Sequence, residues 1–136
     1  MTIYLELEKN PTGTSQQKGE RVVGNRIHHF EKKTVRSQRQ IYRNAILEDL
    51  DGIDTPHYDG PVFLDVTFYF AIKDKKRWGQ WKTSRADCDN LVKLLQDAMS
   101  DIGFWDDDAQ IANLHVRKKF DSKPGILIEV GRLIQP

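Results

Sequence analysis

Residues Val62–Ile72 read VFLDVTFYFAI and alternate along their whole length between apolar and mixed positions. One face carries only large apolar side chains: Val62, Leu64, Val66, Phe68, Phe70 and Ile72. The other face carries Phe63, Asp65, Thr67 and Tyr69. Since successive side chains of a strand point to opposite faces, this segment predicts a long strand with one buried face.

One helix is predicted before this strand in the sequence and a second one after it. From about Asp89 to Ile102, the apolar residues recur at three- and four-residue spacing: Leu91, Leu94, Leu95, Ala98, Met99 and Ile102. Gly103 suits the position just after the helix end, where a left-handed backbone is common. The stretch Thr34–Leu50 shows similar spacing and is followed by an Asp-Gly pair that ends it.

The remaining segments predict shorter strands and loops. Alternation favours strands at Ile3–Leu7, Ile111–Phe120 and Ile126–Leu133, and a short strand or hairpin arm within Arg21–Phe30. Asn10–Gly19 is rich in turn residues and predicts a loop. The order β, (β), α, β, α, β, β indicates an α+β fold with a mixed β-sheet and two helices.

The composition limits the class of protein. A length of 136 residues fits a single domain, residues 1–136, and 30% charged with 38% apolar residues is typical of a globular chain. No apolar run approaches the roughly 20 residues that cross a bilayer, so no membrane partner is expected. One cysteine, Cys88, excludes an intrachain disulfide, and the expected location is cytoplasmic.

The charges are unevenly distributed although the net charge is only +1. Residues 18–43 hold eight lysines and arginines against two glutamates, and residues 73–85 hold six against one aspartate. Much of the acidic balance lies between Asp97 and Asp108. This pattern fits a protein that holds a polyanion around a metal site, and it equally fits solvated faces that happen to balance.

The acidic residues gather in one segment, RADCDNLVKLLQDAMSDIGFWDDDAQI. Asp87 and Asp89 stand one residue apart at the helix entry, where both carboxylates can face one point. Asp89, Lys93 and Asp97 then follow at four-residue steps along one helix face. Asp106–Asp108 come in the loop before the next strand. The segment therefore predicts several carboxylates and one ammonium in a small volume.

Such a cluster needs a counterion, because two carboxylates about 4 Å apart repel by about 4 kcal/mol at an effective dielectric near 20. Oxygen ligands favour a hard ion, Mg²⁺ or Mn²⁺, and the four histidines show no metal-ligand spacing. The task that suits such an ion is phosphodiester hydrolysis. Lys93 then adds a positive charge beside the scissile phosphate or the leaving oxygen.

Each residue also has a purely structural explanation. Asp87 or Asp89 can serve as the N-cap of the helix. Lys93 with either neighbouring aspartate can be an ordinary surface pair on a helix. Asp106–Asp108 can be a solvated loop. Each of these structural explanations is sufficient for its own residue. The functional interpretation therefore depends on the residues acting together.

Two sequence blocks carry a resemblance to a known family. The first is D-x-D-N-x-x-K at residues 87–93, and the second is G-F-W-x-D-D-A-Q at residues 103–110. In residue type and separation they resemble the RusA family, which are crossover junction endodeoxyribonucleases (Holliday junction resolvases) often encoded by prophages. The resemblance implies a homodimer that binds four-way DNA junctions and nicks paired strands with Mg²⁺, for which Mn²⁺ is a possible substitute.

The resemblance also implies a role for individual residues. It assigns the metal-site carboxylates to Asp87, Asp89 and Asp108. It assigns the essential catalytic cation to Lys93. Asp97 and Asp107 receive supporting roles.

The basic linker before the second helix is a candidate DNA-binding segment. Its tryptophans are flanked by cations, which suits stacking on bases and contact with phosphates. The candidate residues are Lys75, Lys76, Arg77, Trp78, Trp81, Lys82 and Arg85. The alternative is that both tryptophans pack the linker onto the core or onto a dimer partner.

Chain geometry limits how the site can be completed. A helix from Asp89 to Gly103 is about 21 Å long, and the residues from Gly103 to Asp108 span at most about 17 Å. Asp108 therefore reaches Asp89 within one chain only if the intervening segment runs back along the helix. Otherwise the site is completed across the dimer.

Two other functions fit the same residues. One is a metal-dependent nuclease that acts on other branched or duplex DNA. The other is a DNA-binding protein without catalysis, in which the acids cap a helix and the basic stretches bind DNA.

Overall fold

The computed structural model of the chain describes residues 1–13, 18–23, 26–31 and 33–136, and no side chain between 14 and 35. The strands are β1 (Thr2–Glu6), β2 (Lys18–Val23), β3 (Arg26–Glu31), β4 (Val62–Ala71), β5 (Ile111–Asp121) and β6 (Gly125–Arg132). The helices are α1 (Lys33–Leu50) and α2 (Cys88–Asp101), and single 3-10 turns occupy Lys75–Arg77 and Asp108–Gln110.

These elements confirm the predicted α+β fold with a mixed sheet and two helices. The main sheet has four strands in the order β1-β6-β4-β5. Strand β6 runs antiparallel to both of its neighbours, and β5 runs parallel to β4. The predicted apolar face of β4 is buried, and Val62, Leu64, Val66 and Phe68 have no exposed surface. The alternation in the sequence thus identified a central strand.

Strands β5 and β6 follow each other along the chain without being neighbours in the sheet. Residues 122–124 connect them across the end of β4, which lies between the two strands. The sequence predicts a turn at this connection and does not predict which strand lies beside which. The arrangement puts β5 at the edge of the sheet, next to the basic linker.

The linker covers part of that edge. The amides of Gly79 and Lys82 donate to the carbonyls of Phe120 and Lys118, at 2.8 and 3.0 Å, and the Phe120 amide donates to Gln80 at 3.0 Å. These bonds pair residues 79–82 with the end of β5. An exposed strand edge is thereby closed by a short piece of the same chain.

The two helices cover one face of the sheet. The predicted stripe of α2 is buried from Leu91 to Met99, and α1 contributes Tyr42, Ile46 and Leu50 to the same core. Gly103 has φ +94°, as predicted for the residue after the helix end. In the described residues, neither helix is long and apolar enough to cross a membrane.

The N-terminal third differs in part from the prediction. Strands β2 and β3 form a separate antiparallel pair, so the strand or hairpin arm predicted within Arg21–Phe30 is present as two strands. The predicted loop over Asn10–Gly19 is too long, because Lys18 and Gly19 already pair within β2. Residues 14–17, 24, 25 and 32 of this region lie outside the described part.

An ion-pair cluster joins the two helices. Arg39 of α1 donates from Nε and Nη2 to the two carboxylate oxygens of Asp101 at 2.6 and 2.8 Å, and Arg43 also contacts this carboxylate. Hydrogen bonding to Arg39 lowers the pKa of Asp101, partial burial opposes this, and Arg43 adds to the lowering. The cluster therefore fixes the end of α2 against α1.

We predict that Asp101→Asn lowers the free energy of unfolding by about 1 kcal/mol at neutral pH, since the carboxylate is only 26% exposed and contacts two guanidiniums. Because the folded-state pKa is lowered, this stabilisation is present above the unfolded pKa and disappears as the pH falls through the folded value. Urea unfolding at a series of pH values, from neutral down through the acid range, measures the decline. Asp54→Asn in an exposed loop is the control. A difference that persists at low pH would contradict the assignment.

Candidate active site

Asp87 and Asp89 lie at the start of α2. Asp87 is the N-cap residue, with an extended backbone (φ −76°, ψ 149°), and its carbonyl accepts the first helical bond from the Leu91 amide at 3.0 Å. Its carboxylate makes no capping hydrogen bond. Asp89 lies in the first turn, and both side chains are exposed. The capping explanation for Asp87 therefore accounts for its backbone and not for its carboxylate.

Lys93 connects the helix to the segment that follows it. Its ammonium lies 3.3 Å from Oδ1 of Asp97 and 3.4 Å from Oδ2 of Asp108. Partial burial lowers the pKa of Lys93, but the combined attraction of Asp97 and Asp108 outweighs it and raises the pKa above the ordinary lysine value. Lys93 is thus held as a cation between two carboxylates.

The contact between Lys93 and Asp108 shows how the chain returns after α2. Both residues belong to one chain, so the segment after Gly103 runs back along the helix as far as the Lys93 side chain, and Lys93 follows Asp89 by about one helical turn. Phe104 and Trp105 are buried, and the Trp105 indole donates to the Ser100 hydroxyl at 2.6 Å. The segment thus runs back along the helix, and completion of the site within one chain stays a prediction.

Gln110 holds the acidic loop in place. Its Oε1 accepts from the amides of Asp106 and Asp107 at 2.9 and 3.1 Å. Its Nε2 donates to the carbonyls of Tyr58 and Gly60 at 2.8 and 3.0 Å. One side chain therefore ties the loop that carries Asp108 to the segment before β4.

Asp107 completes a capping box with Gln110. Its Oδ1 accepts from the Ala109 amide at 2.8 Å while Gln110 bonds back to the amide of Asp107. Sequence reasoning assigned Asp107 a supporting role and gave Gln110 no role. The spacing D-x-x-Q at the start of a short turn was the signal for the capping box.

Two lysines hold the backbone just before Asp87. Lys118 of β5 donates to the carbonyls of Ser84 and Ala86 at 2.8 and 2.7 Å. Lys82 donates to the carbonyl and hydroxyl of Ser84 at 3.0 and 2.8 Å, and it also contacts the Arg85 carbonyl. The sequence gave no signal for Lys118, because the contact joins a strand to a loop more than thirty residues earlier. A role of Lys82 in DNA binding stays a prediction.

The remaining linker residues form an exposed basic surface. Lys75, Lys76, Arg77 and Arg85 are exposed. Trp78 is 39% exposed and its indole donates to the Ile72 carbonyl at 2.8 Å, whereas Trp81 is 62% exposed under the Lys119 ammonium, 4.7 Å from the ring centre. Trp78 is thus anchored to the fold, and Trp81 presents most of its ring to solvent. The side chains of the basic stretch before Arg36 lie outside the described part.

A second group of potential ligands lies beside the acidic loop. His57 Nε2 is 3.4 Å from Asp59 and 3.3 Å from Asp106, and Nδ1 is 2.7 Å from the Gly103 carbonyl oxygen. Ligand atoms of these three exposed residues lie within 4.8 Å of one another. Among the described residues, the predicted trio Asp87, Asp89 and Asp108 is not gathered that closely. Sequence spacing did not predict this group, because Asp106 is distant along the chain.

Comparison with known proteins identifies similar chains. The family model described as Endodeoxyribonuclease RusA matches residues 8–131. A protein of Lactococcus phage r1t, named Crossover junction endodeoxyribonuclease rusA, is 41% identical over 129 residues, which cover 93% of each chain. Proteins of the same name from Enterobacteria phage 82 and Escherichia coli strain K12 are 28% identical over 100 residues, 74% of this chain and 76% of theirs.

We predict that Gln110→Ala lowers the free energy of unfolding by about 1–2 kcal/mol, because two amides and two partly buried carbonyls lose their partner. Gln110→Glu is the matched variant, since it keeps an acceptor for the amides of Asp106 and Asp107 and loses the donor to Tyr58 and Gly60. Hydrogen exchange measures the two amides directly. They should exchange faster in the alanine variant and stay protected in the glutamate variant. Equal protection in all three proteins would show that Gln110 does not hold the loop.

Proposed function

The chain belongs to the RusA family of endodeoxyribonucleases, and on this basis we propose that it resolves four-way DNA junctions by Mg²⁺-dependent phosphodiester hydrolysis, nicking paired strands as a homodimer. The relative that shares 93% of its length with this chain is named a crossover junction endodeoxyribonuclease. The observation that carries the proposal is the contact of Asp108 with Lys93. Lys93 follows Asp89 by one helical turn.

The donor set fits a hard divalent ion. Asp87, Asp89 and Asp108 offer carboxylate oxygens, and the carboxylate of Asp87 is not used in capping. Mg²⁺ prefers one or two carboxylates together with phosphate oxygens and water, and Mn²⁺ accepts similar ligands. When bound, the ion supplies a reactive hydroxide from water and neutralises charge on the phosphate.

Lys93 supplies the fixed positive charge of the site. Its raised pKa keeps the ammonium charged at neutral pH. Asp97 lies one turn further along the same helix face and orients this ammonium from the side opposite the helix start. A cation held in this way stabilises charge that develops on the phosphate or the leaving oxygen without having to reorient.

The basic surface is proposed to bind the DNA arms. Lys75, Lys76, Arg77 and Arg85 are exposed in the linker that leads into the site, and Arg85 precedes Asp87 by two residues, so a phosphate bound by Arg85 would lie near Asp87. Trp81 offers an exposed ring for stacking on a base. A homodimer presents two such sites related by a two-fold axis, which matches the symmetry of a four-way junction. With DNA as its substrate, the protein is expected in the cytoplasm.

We predict that Asp89→Asn reduces cleavage of a labelled four-way junction by about a hundredfold or more at fixed Mg²⁺ and salt, because a metal ligand is lost. Junction binding should stay equal or tighten, since one negative charge is removed near the phosphates. A gel assay with junction, flap and plain duplex substrates measures both effects. Preferential cleavage of flap or duplex would favour the alternative nuclease function.

The matched control is Asp106→Asn, which removes one carboxylate of the second group of potential ligands and leaves Asp87, Asp89 and Asp108 in place. It should cleave like the wild type. If Asp106→Asn abolishes cleavage and Asp89→Asn does not, the catalytic ion lies beside His57 and our assignment is wrong. If the wild type binds the junction and yet cleaves no DNA in Mg²⁺ or Mn²⁺, the protein acts as a DNA-binding protein without catalysis.

A further inference from the structure

The backbone that leads into Asp87 is held by positive charge. Carbonyl groups of residues 84–86 point towards two ammonium groups, and these residues immediately precede the proposed metal ligand. Lys118 bridges the Ser84 and Ala86 carbonyls at 2.8 and 2.7 Å. Hydrogen bonds from a charged donor are about twice as strong as neutral ones. The bridge therefore restrains a loop that carries no regular secondary structure.

The second ammonium reinforces the first. Lys82 bonds to the Ser84 carbonyl and hydroxyl, and its own amide donates to the Lys118 carbonyl at 3.0 Å. Burial, followed by the charge of Lys118, lowers the pKa of Lys82. Two like charges near each other are unfavourable, and here the carbonyl oxygens that accept from them compensate, with the Ser84 carbonyl accepting from both. The loop is consequently fixed to β5 from two directions.

The direction of the Asp87 carboxylate depends on this backbone. That carboxylate makes no capping bond, and the N-cap backbone sets the position and direction of the Cα–Cβ bond from which it extends. The Leu91 amide fixes the carbonyl side of Asp87, and Lys118 fixes the peptide unit on its amide side through the Ala86 carbonyl. A shift of the preceding loop would move a metal ligand directly.

We propose that Lys118 is a positioning residue for the metal site. By bridging the carbonyls of Ser84 and Ala86, it presents Asp87 to the catalytic ion. This inference rests on the proposed function, because it takes Asp87 to be a ligand. Lys118 itself touches neither the ion nor the DNA in this role.

The direction of the change in metal affinity separates this positioning role from a purely electrostatic one. An ammonium near a cation site repels the cation. If Lys118 acted only through its charge, removing the ammonium would therefore strengthen metal binding. If Lys118 acts as a positioning residue, removing the ammonium weakens metal binding, because Asp87 is no longer held in place. A role in contacting DNA would change DNA binding and leave metal binding unchanged when DNA is absent.

The test measures Mn²⁺ binding to the full chain without DNA, by calorimetry or by the electron paramagnetic resonance signal of free Mn²⁺. We expect Lys118→Met to weaken binding by about tenfold, or about 1.4 kcal/mol. Lys119→Met is the matched control, because it removes the same charge from the next residue, which contacts the Trp81 ring. It should bind Mn²⁺ as tightly as the wild type or more tightly. Lys118→Arg keeps two donors for the two carbonyls and should retain most of the affinity.

If Lys118→Met is folded, two results overturn the inference. One is a Lys118→Met variant that binds Mn²⁺ as tightly as the wild type or more tightly. The other is an equal loss in Lys119→Met. Thermal unfolding checks that each variant is folded, and if Lys118→Met is not, a Lys118→Arg variant that binds as weakly as Asp87→Asn also overturns it. Equal Mn²⁺ binding by the wild type and Asp87→Asn would instead contradict the ligand assignment of the proposed function.

Discussion

The contact between Lys93 and Asp108 is the constraint on which the candidate site depends. Asp87 and Asp89 are placed by the start of α2, whereas Asp108 is placed by the segment that comes after its end. Asp108 reaches Lys93 of α2 because the chain reverses at Gly103 (φ +94°) and returns along the helix. Burial of Phe104 and Trp105 holds the returning segment against the core. The hydrophobic core thus determines where the acidic residues lie, and the Lys93 ammonium bridges two of the carboxylates that face it.

Three side chains beside the site, those of Gln110, Lys118 and Lys82, hold its loops by bonds to backbone groups. Gln110 bonds only to amides and carbonyls, and Lys118 and Lys82 bond chiefly to carbonyls. Such bonds fix loops that have no regular hydrogen-bond pattern of their own. The site is therefore built from two loops that are held by side chains from neighbouring strands and turns. Placement of this kind suits the metal-assisted hydrolysis that we propose.

Local sequence patterns were sufficient for some features and insufficient for others. The alternation in β4 and the stripe in α2 are produced by burial on one side, so each could be recognised within its own segment. The order of the strands in the sheet could not be recognised from any one segment, because it depends on which edge of β4 each neighbouring strand occupies. The motif around Asp108 indicated chemistry, yet the bonds of Lys118 and the approach of His57 to Asp106 join distant segments. Only the folded chain shows such pairs.

The sheet order also bears on the synthesis of the protein. Strand β1 begins at Thr2, and its partner in the sheet is β6, which begins at Gly125. While the ribosome makes the chain, β1 must remain without this partner until nearly all of the following residues have emerged. The central part, from α1 to β5, can begin to collapse earlier, since β4 and α2 are already present. Completion of the nuclease fold is therefore coupled to the last strand, and a ribosome that stalls before it leaves the first strand exposed to other chains.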